Sequence, residues 1–341
     1  MNSLRPFTMQ IANLCIEICG YNDENSACLH DLMRIFQHHE MICDATAIHR
    51  IVVCPSNRFN LPCEATLQWV ATCLGVAGSQ HRSFLSKIFS TIFTPNKEIP
   101  RYSGTCNVQC YKDSFRQVDY LIPENDEWRI ENDAKEHTTY VFSDGQKDIS
   151  DGLPSMLVNV IGSQYGYYLM FASSVAIDGK ALVFAGNSGI GKSTLCMELI
   201  KQGAAYLGDD LVLVYMNGTQ AMVGSLLFPL KCYVNTNDSH KKKMDLVSQM
   251  PQRPPLNVPL KAIYYLERAD SSKAESYCEP MQGGAMFAKM LNLTNKANTN
   301  ADAHHFVDTI SSICGSVPCY TLFYGEYNKI TFSFFADDER R

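Results

Sequence analysis

Nine consecutive residues, Gly186-Asn187-Ser188-Gly189-Ile190-Gly191-Lys192-Ser193-Thr194, fit the string G-x-x-x-x-G-K-[ST]. Their types and spacing suit a chain of phosphates. Glycines let successive backbone N–H groups curl round an anion, Lys192 brings a point charge to the outer phosphates, and the Ser193 hydroxyl offers a ligand to Mg2+. A second group of chemical interest follows the first: the adjacent carboxylates Asp209 and Asp210. Such a pair suits phosphoryl transfer to a hydroxyl, one acid orienting a metal and the other taking the proton of the incoming alcohol. Asp pairs are also common turn and cap residues.

These side chains need elements to hold them. Upstream, the apolar runs Val175 to Ile177 and Ala181 to Ala185 are joined by Asp178-Gly179, a pair favoured in two-residue hairpins, so the loop follows a buried strand. Downstream, Leu195 with Leu199 and Cys196 with Ile200 repeat at helical spacing, Lys201 falls in the last turn and Gly203 stands where a helix is capped. The helix N-terminus would then face the phosphates. A strand from Ala205 to Leu207, the Asp pair and an apolar run from Leu211 to Tyr215 complete the segment.

The loop, its Gly-terminated helix and the Asp pair together resemble the catalytic domain of HPr kinase/phosphorylase. The resemblance is closer to the HPr-kinase-like group of peptide-modification operons, and it spans Pro154 to about Phe334. It implies an α/β fold: a phosphate-loop nucleotide-binding domain of the HPr-kinase/phosphoenolpyruvate-carboxykinase type at 151–341, behind an α+β N-terminal region at 1–150. It implies ATP and Mg2+ as ligands, with residues Gly186 to Thr194 on the phosphates, Lys192 neutralising charge, and Ser193 and Asp209 supporting the metal. Asp210 would be the base that activates a serine hydroxyl on a peptide or protein, and the family also implies a homo-oligomer. Two positions depart from the pattern. Phe171 stands where the family has His, and Thr194 where it has Glu directly after the loop Ser. Loss of the His argues against the reverse, phosphorolytic reaction. It keeps a nucleotide-binding partner module in view, with a small-molecule kinase as a third alternative.

The 341 residues carry a net charge of -6, with 46% hydrophobic and 19% charged residues, which suits two domains and offers no basic stripe for nucleic acid. No apolar run is long enough to span a bilayer and the start lacks a signal-peptide pattern, so the expectation is a cytoplasmic protein with no membrane partner. The 14 cysteines form no C-x-x-C and sit in apolar contexts as small core residues. His38-His39-Glu40 with Cys43, and His304-His305, lack a complete ligand set and read as packing or surface residues.

Along the chain the patterning predicts a strand from Phe7 to Cys19, a helix from Ser26 to His38, a strand from Ala45 to Cys54 and helix from Pro62 to about Phe93. A meander from Tyr102 to Phe142 and helical spacing from Asp151 to Ile161 come next. Asn235 to Pro259, polar, lysine-bearing and proline-rich, reads as a long loop and candidate lid. Strands are expected over Leu260 to Leu266, Tyr320 to Tyr324 and Ile330 to Phe335, and helices over Gly284 to Leu293 and Ala303 to Ser312.

Overall fold

The computed structural model describes residues 7–21, 26–40, 49–61, 68–74, 107–113, 116–123, 128–143, 152–232, 242–269, 276–295, 303–325 and 330–336. The architecture is mixed α/β, and the chain divides into two compact units: Met1–Gly166 with Lys296–His305, and Tyr167–Asn295 with Phe306–Arg341.

In the first unit one sheet runs in the order Phe7–Ile11, Leu14–Gly20, His49–Cys54, Thr138–Phe142, Arg129–Asp133, Val118–Pro123, Asn107–Asp113, Gln68–Leu74. Leu14–Gly20, His49–Cys54 and Thr138–Phe142 are parallel, and the remaining pairs are antiparallel. The helix Ala27–Ile35, capped by Ser26 whose hydroxyl accepts from the Leu29 N–H at 3.1 Å, lies in the connection between two of the parallel strands. The helix Gly152–Gln164 is apolar nearly all round and accordingly buried on nearly every side.

Three sequence expectations are corrected. The stretch from Phe7 to Cys19 is a hairpin, turning at Ala12 with φ +53°. The described part of the Pro62 to Phe93 run, Gln68–Leu74, is a strand paired with Asn107–Asp113, and its neighbours lie outside the described residues. Ile330 to Phe335 is not a strand but leads into the short helix Phe332–Ala336.

The second unit is built on a sheet whose path runs Ala205–Gly208, Ala172–Ile177, Lys180–Ala185, Asn257–Arg268 and onward, with Cys319–Tyr324 branching from Asn257–Arg268. Alternation along each strand feeds two cores. Val175, Leu182 and Phe184 pack with Leu195, Cys196 and Leu199 of the helix Lys192–Lys201. Ala176, Ala181, Val183 and Ala185 pack on the other side with Met286 and Met290 of the helix Gly283–Leu293 and with Phe306, Ile310 and Ile313 of the helix Ala303–Ser316.

Strand directions decide what meets. Ala172–Ile177 is antiparallel to both Lys180–Ala185 and Ala205–Gly208, so those two run the same way, and Asn257–Arg268 is parallel to Lys180–Ala185. Three carboxyl ends and the start of Ala172–Ile177 therefore share one edge of the sheet, where ligands of open α/β sheets sit. The described part of the expected lid is tethered: Lys242–Met244 pairs with Leu230–Cys232, and Leu246 and Val247 are buried against Tyr206.

Candidate functional site

At that edge the expected strand–loop–helix order is present. Asp178 and Gly179, at φ +52° and +71°, make the two-residue turn, and Lys180–Ala185 then delivers the chain into the loop. Gly186 has φ +143°, and a Cβ there would lie 3.2 Å from the Leu266 carbonyl oxygen, so backbone geometry and space both demand glycine. Gly189 and Gly191 also have positive φ. The rim residues Asn187, Ser188 and Gly189 are exposed, Ile190 packs on the core below, and the helix begins with Gly191 as its N-cap. Ser193 is half-buried and Thr194 points to the exposed side.

Lys192 is only 5% exposed. Its ammonium donates to the carbonyl oxygens of Gly186 at 3.0 Å and Asn187 at 3.1 Å, and lies 4.2 Å from the centre of the Phe171 ring.

The Asp pair follows Ala205–Gly208 at a tight turn where a Cβ on Gly208 would come within 2.9 Å of the Leu211 carbonyl oxygen. Asp209 is 8% exposed; its Oδ1 accepts a hydrogen bond from the Ser173 hydroxyl at 2.5 Å, while Oδ2 is buried with no well-formed partner. Burial pushes the Asp209 carboxyl above the usual carboxylate range, and the neighbouring Asp210 charge pushes it further. Hydrogen bonding from Ser173, from the adjacent Ser193 and from the Asp210 backbone pulls it partly back. Ser193 is near enough to act on Asp209 without closing a full bond to Oδ2. Cys196, one turn along the helix, has its thiol pushed up by burial first and by the Asp209 charge second. Asp210 is half-buried and has φ +63°, a left-handed backbone uncommon for a residue other than glycine.

The structure therefore brings Lys192, Ser193 and Asp209 together round the loop and adds Ser173 and Phe171. Ser173 carries no motif; its only signal is to be one of two adjacent hydroxyls, with Ser174, in an otherwise apolar strand. On the other flank, Ala185 pairs with Tyr265, whose hydroxyl reaches the Asn187 side chain at 3.5 Å. Lys289 lies 3.4 Å over the Tyr265 ring and 3.2 Å from the Glu267 carboxylate. Among the described residues no group of three or more His, Cys, Asp or Glu gathers as a metal cage. An unpartnered buried oxygen on Asp209 beside the Ser193 hydroxyl does fit a hard cation that takes its other ligands from phosphates and water. The buried cysteines Cys15, Cys28, Cys54, Cys110, Cys196, Cys314 and Cys319 are core residues, and among the described residues no helix is long and apolar enough to cross a membrane.

No protein-family model matches the chain. Part of it is similar to HPr kinase/phosphorylase: 30% identical over 71 residues to that of Prosthecochloris aestuarii, and 41% over 51 residues to that of Levilactobacillus brevis. The matched segments cover 20% and 15% of this chain, and 21% and 16% of those proteins. The solved structure of the Hpr(Ser) kinase/phosphatase from Coxiella burnetii aligns with 47% of this chain and 88% of that one, at 14% identity and a TM-score of 0.28, a level that carries no argument about the fold.

Proposed function

We propose that the second unit binds ATP with Mg2+ on residues Gly186 to Thr194 and transfers the γ-phosphoryl group to a serine hydroxyl of a peptide or protein. The carrying observation is a carboxylate anchored beside the loop: Asp209 is held by Ser173 and adjoins Ser193. The α/β architecture of this unit supports a nucleotide-binding domain of the HPr-kinase/phosphoenolpyruvate-carboxykinase type.

Ser193 and Asp209 would hold Mg2+, which supplies charge neutralisation on the β- and γ-phosphates. The loop N–H groups and the N-terminus of Lys192–Lys201 bind the phosphate chain, and Lys192 offsets its charge. The acceptor oxygen forms a bond to the γ-phosphorus as the bond to the bridging oxygen of ADP breaks, and Asp210 takes the serine proton. The left-handed backbone of Asp210 is the kind of strain kept where it positions a reacting group. Positioning and electrostatics do most of the work. One observation favours a second reading, nucleotide binding without transfer: Phe171 brings an apolar ring, not a proton carrier, against Lys192.

The test is mass spectrometry of peptides and proteins encoded beside the gene, and of free serine, after incubation with the purified protein, ATP and Mg2+. A phosphate gain on a peptide or protein serine, lost by at least about a hundredfold in rate in Asp210→Asn, is expected. Nucleotide binding with no acceptor modified would leave the second reading; phosphorylation of free serine would make this a small-molecule kinase.

A further inference from the structure

The ammonium of Lys192 is gripped from two sides. Two loop carbonyls take hydrogen bonds at 3.0 and 3.1 Å, and the Phe171 ring covers it at 4.2 Å. A cation shielded from water gains most from an aromatic face. The backbone that carries the ring is anchored: the Phe171 N–H donates to the Leu293 carbonyl at 2.7 Å, and Phe171 immediately precedes Ala172–Ile177, two positions before Ser173. One short stretch of backbone presents Phe171 to the loop lysine and Ser173 to Asp209.

We propose that Phe171 is a positioning residue for Lys192: its ring keeps the ammonium stretched across the loop, ready for a phosphate chain, and so sets nucleotide affinity. The proposal rests on the reading of the loop as a nucleotide site. Without the ring, a lysine on four rotatable bonds would have to be ordered when nucleotide binds, and the affinity would fall by that ordering cost.

Calorimetric titration with Mg-ATP and with ADP tests this on the full chain. Phe171→Leu keeps the apolar bulk and removes the π face; Phe171→Tyr keeps both. The leucine variant is expected to bind about tenfold more weakly, equivalent to about 1.4 kcal/mol, and the tyrosine variant within about twofold of the wild type, with unchanged melting temperatures. Phe171→Met takes the place of leucine should leucine unfold the protein. Leucine and tyrosine variants that bind as the wild type does, or that weaken equally, would overturn the role of the ring while leaving the nucleotide reading intact. A wild-type protein that binds neither nucleotide would defeat that reading itself and the proposal with it.

Discussion

Asp209 costs the fold stability. Its carboxyl is buried, one oxygen has no well-formed partner, and a second carboxylate is its chain neighbour. Such a group persists in a fold when something other than stability retains it. Asp209→Asn keeps the shape and still accepts from Ser173, so it should raise the unfolding free energy by about 1 kcal/mol while abolishing the gain in nucleotide affinity that Mg2+ confers. Denaturant melts and titrations with and without Mg2+ check the two halves; an Asp that merely caps a turn would give neither. Ser173→Ala should do the reverse to stability, lowering it by about 1–3 kcal/mol as Oδ1 also loses its donor. The loop and the Asp pair were legible in the sequence because each is a local pattern. Ser173 was not, since its bond spans 36 residues and depends on strand order that no local window contains.

The loop is one element held by another. Gly186 abuts the backbone of Asn257–Arg268, whereas Gly189, at φ +76°, has open space around its missing Cβ. The two glycines should therefore fail differently. Gly186→Ala adds a steric conflict with a carbonyl that cannot swing aside, and should cost about 1–3 kcal/mol of stability. Gly189→Ala should cost only about 1 kcal/mol for its left-handed backbone, yet weaken nucleotide binding more than tenfold, its methyl standing where the backbone must approach phosphate. Thermal melts beside nucleotide titrations would show whether the two losses separate. Elements with a clear period and a stop signal were readable: the loop helix ends as expected, with Gly203 at φ +108° donating to the Ile200 carbonyl. Phe7 to Cys19 concealed its turn because Ala12-Asn13 carries no Gly or Pro. Ile330 to Phe335 alternates like a strand, but in the structure Ile330 and Phe335 are both buried in the core against Phe184 and Leu199 as the chain turns into helix.

Across the molecule as a whole, the segments matched in sequence cover 20% and 15% of the chain, and the first unit has a polar interior of its own. Thr139 donates to the Asn132 side-chain oxygen at 2.8 Å, so its hydroxyl must accept from His49 Nε2 at 2.9 Å. That assignment leaves His49 Nδ1 to accept from the Tyr165 hydroxyl at 3.2 Å, and the same hydroxyl meets His137 Nδ1 at 3.0 Å. A neutral His49 satisfies this chain of bonds. Burial lowers its pKa from 6.5 to about 4, with repulsion from His137 as the lesser cause. The unfolded chain therefore takes up a proton between pH 6.5 and 4 that the folded one refuses. The stabilisation is complete above pH 6.5 and is lost as pH falls toward 4, by about 3 kcal/mol in total. Trp69 and Trp128 are the chain's two tryptophans and both belong to this unit, so fluorescence excited selectively at tryptophan reads its unfolding. Urea melts from pH 7 to 4 should show stability falling in the wild type and a slope shallower by about that amount in His49→Gln. Equal slopes would mean that His49 protonates in the folded state as readily as in water, and that the bonded chain from Asn132 to His137 does not hold it neutral.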